Sequence, residues 1–461
     1  MRLLLASGAA LAAASLAPAQ VVLTPRATID VSQTAQPGLS QIGSNPTGVA
    51  WNGTDFWICG LNSSGAVGPA AIVPVTNALT APSIGVAFAT LTPPNQRGYS
   101  GLDISGNTLV AAYDAGTSDP NGIQGFDLTG NRLWGKAGRG GSGVGIDPGF
   151  NGNPTGSGTG WTTFGSGRRA LQDNLTGADI YTTANGMVIL TSQGSFWRDM
   201  DFDDATGDIW LREGNNVIYG QRTGDNAVTM SVVVDVTDAD SVIGQNIAFC
   251  RTPNGNFAIY NDRPNAASGQ DFFNVVKLIR PDGSALTATF GGFTPALGAG
   301  LYDFSFDPAS QTLAILDFSN RSVTIFDVFY EPWFQYGSGC PDTGNIIPVL
   351  DMSGDPSPGF GVLNLDITQA YGGGFCYIFF GVAQAQIPLN PPCDLLLVPL
   401  PGLVGPLPIN GNGPGTGTLT ISGTLPIESR GGVLTSQAFI LGGGTPGIFV
   451  TTNGVQINIP F

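Results

Sequence analysis

Four acids in this chain could do chemistry together if the fold brought them to one place. Asp114 closes "LVAAYD", Glu213 sits in "IWLREGNN", Asp262 in "FAIYNDRPN" and Asp317 in "LAILDFSNRSVTIFD". Asp114 and Asp317 directly follow an apolar, strand-like run, Glu213 and Asp262 come one residue after such a run, and Asn62 holds the matching place in "GVAWNGTDFWICGLN". Carboxylates facing a shared mouth suit a divalent cation with oxygen ligands, calcium being the natural one. The alternative is local: an Asp or Asn after a strand accepts hydrogen bonds from nearby backbone amides and holds the next turn. A ligand site is built from different residues on different elements, whereas a turn device recurs in each, so repetition favours the turn.

Other chemistry is narrowed by what is missing. The chain has no histidine, which removes the commonest general base, Ser-His-Asp and Cys-His mechanisms, and imidazole metal sites. Glu occurs only at 213, 331 and 428, so acid–base work would fall on Asp. "GRGGSG", Gly138 to Gly143, satisfies G-x-G-x-x-G but runs into "VGIDPGFNG" and not into a helix, so it reads as loop. "DMDFDDATGD", Asp199 to Asp208, imitates the start of a calcium loop. It has Asp204 and Trp210 where Gly and Glu are required, so a strand and its turn is the better reading.

The elements that must position these residues repeat. Units begin at Gly48, Gly101, Met200, Ile247 and Asp303, each with an apolar strand, a turn rich in Asn, Gly and Asp, a second strand, an acid or Asn, and a third strand. Trp51, Leu102, Phe202, Phe249 and Phe306 are equivalent, at separations near 50 or twice 50. Such a period with several strands per unit marks a β-propeller blade. A less regular unit starts at Gly177 and includes the Asn185-Gly186 turn, preceded by a Gly-, Asn-, Thr- and Ser-rich stretch, 136–176, that reads as a long surface excursion. The expectation is an all-β chain with a propeller of six blades, seven being the alternative. "VVLTPRATIDVSQ", residues 21–33, is expected to complete the last blade against the strand containing Thr324 to Asp327. Trp161 and Phe164 in the Gly-rich stretch could stack on sugars, or be buried against a blade.

Composition changes after "YEPWFQYGSGC". From Gly337 to Phe461 there are six acids and one base, with apolar runs between Gly-Pro turns, which fits a small C-terminal β-sandwich. The expected organisation is 1–19 signal peptide, 20–333 propeller and 334–461 sandwich. "MRLLLASGAALAAASLAPAQ" has a charged start, a short apolar segment and a small-residue cleavage site, so the protein is expected to be secreted to the periplasm, cell surface or medium. No later stretch is long enough for a transmembrane segment. A formal charge of −16 repels nucleic-acid phosphates and excludes DNA and RNA as partners. Export permits disulfides, and of the five cysteines Cys59 and Cys250 lie in apolar strands as inert thiols, whereas Cys340 and Cys393 flank polar, Pro-rich turns.

Two resemblances extend this. "LAILDFSNRSVTIFD" resembles the NHL-type propeller repeat, in which a strand ends in Asp, an Asn and Arg follow, and the next strand closes with Phe and Asp. Hydrolases and lactonases with related propellers bind calcium in the central channel and carry a Glu in the first blade, which this chain lacks. The last 125 residues resemble a C-terminal domain of secreted planctomycete-type bacterial proteins, through "YGSGCPDTG", "IPLNPPCDLLL", "LTSQAFIL" and "TTNGVQINI". That resemblance implies a Cys340–Cys393 disulfide, with Cys376 as an extra thiol. The expected function is an exported, non-catalytic, monomeric binding protein whose blade rim takes a protein or polysaccharide through residues such as Asp114, Glu213, Asp262, Asp317 and Trp161. The alternative is a calcium-assisted hydrolase or lactonase using Asp in the channel.

Overall fold

Tight turns cut this chain into strands too short to bury their apolar faces alone, so neighbouring units must cover one another. In a computed structural model, the described residues are 21–32, 42–43, 45–62, 70–91, 97–114, 122–137, 143–153, 158–163, 166–172, 176, 178–181, 197–213, 216–225, 227–235, 246–262, 272–292, 294–298, 302–330, 333–354, 356, 359, 361–389, 393–429, 432–442 and 449–459. These supply six largely antiparallel units of four or five strands, the sixth with Ala288–Phe290 added parallel at its edge, followed by two further sheets. The inner strands are Asn45–Trp51, Gly98–Ser105, Val144–Asp147, Trp197–Phe202, Ile247–Thr252 and Tyr302–Asp307. Each lies against the next, and the sixth against the first, so the fold is a closed β-propeller. The first two units join into one sheet through a single pairing of Leu61 with Gly98.

The sixth unit shows how sequence sets position. Its second strand, Thr312–Asp317, is buried at every residue, because neighbouring units cover both faces, and it therefore reads as a continuous apolar run. The chain reverses ahead of it at Gln311 and after it at Arg321, both in left-handed backbone (φ 55° and 50°), the first turn tied by the Ser310 amide donating to Asp307 Oδ2 at 2.8 Å. Its fourth strand is the N-terminal segment: Val21–Asp30 runs antiparallel to Ser322–Tyr330, with Thr24 opposite Asp327 and Thr28 opposite Thr324. Closure by the opposite chain end, expected from the incomplete last unit, is what forms.

The third unit departs from the sequence expectation. The stretch read as a surface excursion forms the strands Val144–Asp147, Gly158–Thr163 and Ser166–Gln172, which with Asp179–Tyr181 as outer strand make a complete unit. The Asn185-Gly186 turn lies outside the described residues. The physical reason is that its neighbour provides the bulk: a Cβ on Gly145 would sit 3.0 Å from the Phe202 ring, and one on Gly160 would sit 2.9 Å from that ring and 3.1 Å from the Met200 sulfur. Side chains of the fourth unit fill space that the third unit's own would otherwise occupy, so no apolar period is left to read.

From Trp333 onward the chain forms a β-sandwich. One sheet holds, in spatial order, Trp333–Tyr336, Phe449–Asn458, Val433–Leu441, Phe375–Pro388 and Asp394–Pro408; the facing sheet holds Val349–Gly354, Leu363–Gly372 and Gly413–Gly423. Leu350, Ile367, Ile378, Ile440, Val455 and Ile457 are central to the buried layer between them. Cys340 and Cys393, with Cα atoms 4.9 Å apart, form a disulfide across 53 residues of sequence, while Cys59, Cys250 and Cys376 are buried free thiols. Among the described residues no helix is long and apolar enough to cross a membrane.

Candidate functional site

Polar groups concentrate where the inner strands face one another around the axis. Asp103, Asp199, Asp201 and Asp303 stand on inner strands, all but Asp199, which follows Arg198, between apolar neighbours. Each bridges two units in the same way. Asp103 accepts the amide of Ile104 at 2.7 Å on its own strand and that of Ile146 at 2.6 Å on the next unit. Asp199 and Asp201 repeat the device two residues apart, taking Met200 and Ile247, then Phe202 and Phe249. Asp303 takes the Val49 amide at 2.7 Å, and Ser305 Oγ takes that of Trp51 at 2.9 Å, which staples the sixth unit to the first.

The remaining joints use other groups. Thr47 Oγ1 donates to Tyr99 O at 2.7 Å between the first and second units. Asp147 receives Arg222 Nη1 on both oxygens, at 2.8 and 2.9 Å, between the third and fourth, with both side chains fully buried. Asp203 receives Arg251 Nε and Nη2, each at 2.7 Å, between the fourth and fifth. Asn246 and Asn261 donate to Tyr302 O between the fifth and sixth. Parallel inner strands leave amides aimed at the neighbouring unit, and an acceptor on a short side chain satisfies them without breaking the ring.

Electrostatics follow from that crowding. These acid residues keep some surface toward the axis, yet their carboxyl groups lie deep in protein, and burial raises Asp103 and Asp303 to about 7 against the lowering effect of their amide bonds. Burial first and neighbouring acids second push Asp199 and Asp201 well above the carboxylate range. Asp204, beside Asp203 and Asp307, is raised to about 6, again chiefly by burial. The cavity these residues line measures about 50 Å³. That is room for a few water molecules and not for an organic substrate.

The residues singled out from sequence lie elsewhere. Asp317 ends the second strand of the sixth unit, fully buried, and accepts the amides of Gly298 at 2.5 Å and Asn320 at 3.0 Å. Asp262 follows the corresponding strand of the fifth unit and its amide donates to Val275 O at 2.7 Å. Asp114 and Glu213 end the corresponding strands of the second and fourth units, and Trp161 lies in the second strand of the third; the side chains of these three fall outside the described set. Asn62 is buried and its amide donates to Arg97 O at 2.7 Å. All the acids therefore end second strands, on the rim opposite the turns that carry Asp203 and Asp307. Among the described residues no three His, Cys, Asp or Glu side chains are arranged to hold a metal ion.

One buried cation shares that rim. Arg212, 1% exposed, donates Nη2 to Asn261 O at 3.2 Å and stands 5.6 Å from the Tyr260 ring centre. Its Nε and Nη1 have no hydrogen-bond partner among the described residues, and burial lowers the guanidinium to about 10. The inner-strand acids escaped the sequence reading. Their signal was present as a single Asp between apolar residues in "GLDIS", "DMDF" and "YDFSF", a pattern that competes with the stronger Asp-Asn turn punctuation.

No family model matches the chain, and no curated protein matches it. Among solved structures, the β-propeller domain of Myceliophteria thermophila Cps50 (Swd1) is similar at 11% identity and a TM-score of 0.36, over 62% of this chain and 84% of that one. A functionally unknown protein from Desulfotomaculum acetoxidans DSM 771 is similar at 14% identity and a TM-score of 0.36, over 60% of this chain and 79% of that one.

Proposed function

We propose that this chain is an exported, non-catalytic binding protein whose propeller presents rim loops to a protein or polysaccharide, with the sandwich as an accessory module for attachment or sorting. One observation carries the proposal: the carboxylates nearest the axis already accept two amides each, in a space of about 50 Å³. Oxygens held in that way staple neighbouring units and do not converge on a reacting atom. Recognition then falls to the rim, where Asp114, Glu213 and Asp262 are the residues to vary, with Trp161 as an aromatic candidate; Asp317 is buried and already holds the Gly298 and Asn320 amides. The sequence likeness to NHL-type repeats and to planctomycete-type C-terminal domains, and the Cys340–Cys393 disulfide, support an exported interaction protein.

The second reading, a calcium-assisted hydrolase or lactonase, is favoured by one feature, the group of raised carboxyls at the axis, since acids near 7 suit proton transfer at neutral pH. The two are separated by melting the full chain with calcium and with chelator, and by assaying ester and lactone turnover. The binding reading expects superimposable melts and no turnover above buffer. Calcium-dependent stabilisation together with turnover abolished by Asp201→Asn would replace it with the hydrolase.

A further inference from the structure

The sandwich contains a larger and chemically different cavity, one that does not depend on the propeller reading. The hairpin Phe375–Pro388 and Asp394–Pro408 is longer than the sheet that faces it, and its pairing with Val433–Leu441 stops at Gly381. Register also breaks there. Phe379 pairs with Leu403 and Gly381 with Pro399, so two steps on one strand face four on the other, and Leu400-Pro401-Gly402 swing out. Gly402 adopts φ 112° with no atom within 4 Å of where a Cβ would stand, which lets the chain make this excursion. The excursion roofs a cavity of about 550 Å³ floored by Met352, Leu363, Leu365, Ile421 and Leu434.

Its chemistry is one-sided. Among the described residues no ionisable side chain lines it, although the chain carries a formal charge of −16. Leu400, Leu403 and Val404 at its mouth are 40 to 48% exposed, and Val398, Val382 and Ile387 extend the apolar surface along the hairpin. The size falls within the range of small-molecule sites, and so much exposed apolar surface is unusual on a domain with no occupant. A peptide strand is a poor occupant: the outer strand pairs on one side only, and Pro399, Pro401, Pro406 and Pro408 remove amide donors from its free edge.

We propose that this cavity is a binding site for the hydrocarbon chain of a single uncharged amphiphile, entering beneath Leu400–Val404 with its polar end left in water. With no ionisable group among the described lining residues, such a chain enters without stripping water from any of them.

Nile red, an uncharged polarity-sensitive dye, tests this with the full chain, with dodecyl maltoside below its micelle concentration as competitor. Gly423 offers a plug: it pairs directly with Leu363, so its side-chain direction is into the cavity, its backbone is not left-handed, and nothing lies within 4 Å of a new Cβ. Leu403→Asp, at an exposed site, places a charge at the mouth and keeps the test open if Gly423→Trp fails to fold. The proposal expects saturable, blue-shifted emission at one dye per chain, displaced by the maltoside and weakened about tenfold in both variants. It is overturned if no saturable binding occurs, or if neither folded variant weakens it. It is equally overturned if the apolar surface instead drives concentration-dependent self-association or sedimentation with phosphatidylcholine vesicles while dye binding stays absent.

Discussion

The propeller and the sandwich solve one problem, joining separate sheets through buried polar groups, with opposite chemistry. Between propeller units most acceptors are carboxylates: Asp103, Asp199, Asp201 and Asp303 take amides and Asp147 and Asp203 take arginines, while Ser305 and the carbonyls of Tyr99 and Tyr302 complete the joints. In the sandwich they are carboxamides: Asn453 exchanges hydrogen bonds with both backbone groups of Leu350 on the facing sheet, and Gln437 ties strands within its own sheet, accepting from the Leu396 amide while donating to Asp394 O and Thr452 O. The sandwich adds a covalent tie in place of charge. Ionisable staples couple a fold to pH, and neutral staples with a disulfide couple it to redox state instead. Each domain should therefore respond to a perturbation that the other ignores.

The sharpest break should come at Asp147. Removing it strands the fully buried Arg222 guanidinium without its carboxylate, a change that costs about 4 kcal/mol at sites of this kind. Asp147→Ala should lower the melting temperature of the propeller and speed amide exchange in residues 144–147 and 216–224, leaving the sandwich amides unchanged. Exchange rising equally in both domains would mean that they unfold as one unit. The mirror experiment is reduction, or Cys340→Ser with Cys393→Ser. Opening a loop of 53 residues costs about 4 kcal/mol by chain entropy and typically about 3 in practice. Exchange should accelerate around Gly337–Leu350 and Phe449–Asn458 only.

A smaller effect tests the neutral staples. Gln437→Leu leaves the Leu396 amide and two carbonyls unsatisfied inside the sandwich, which should cost about 2 kcal/mol with the same value at pH 5 and pH 8. A cost that changed with pH would show that a titrating group, and not the carboxamide, holds that joint.

Sequence pattern revealed most of what contrasts the two halves. Repeated strands with Asp-Asn turns announced blades, and the missing last strand announced closure by residues 21–30, because buried middle strands such as "LAIL" and alternating outer ones leave a direct signature in side-chain type. The third unit was illegible because Gly145 and Gly160 make room for Phe202 and Met200, so the information lies on another unit. The axial acids were hidden for a related reason. An inner-strand Asp earns its place from an amide 43 to 48 residues away, and no local pattern encodes that partner. In the sandwich the apolar runs were visible, but the cavity arises from a two-residue register break that composition cannot show.

The smallest expected effect bears most directly on the chemistry of the axis. Asp103 and Asp303 are raised by burial to about 7, and Asp199 and Asp201 are also raised well above the carboxylate range by burial, whereas an unfolded Asp titrates near 4. The folded propeller thus binds protons that the unfolded chain has released between roughly pH 4 and pH 7. Stability from these groups is fully present below the unfolded value and declines as pH rises through the folded one. The propeller should therefore melt higher at pH 5 than at pH 8, by a few degrees if the net coupled effect is about 1 kcal/mol. General charge repulsion in a chain of −16 works in the same direction, so a charge-matched comparison is needed. Asp103→Asn, uncharged at every pH, should flatten the curve, whereas Asp327→Asn, an exposed acid 3.4 Å from Arg26, should only shift it slightly. If both variants keep the wild-type slope, the axial carboxyls do not titrate in this window and the amides hold them ionised. The carboxylate staples would then differ from the carboxamides of the sandwich in charge but not in behaviour.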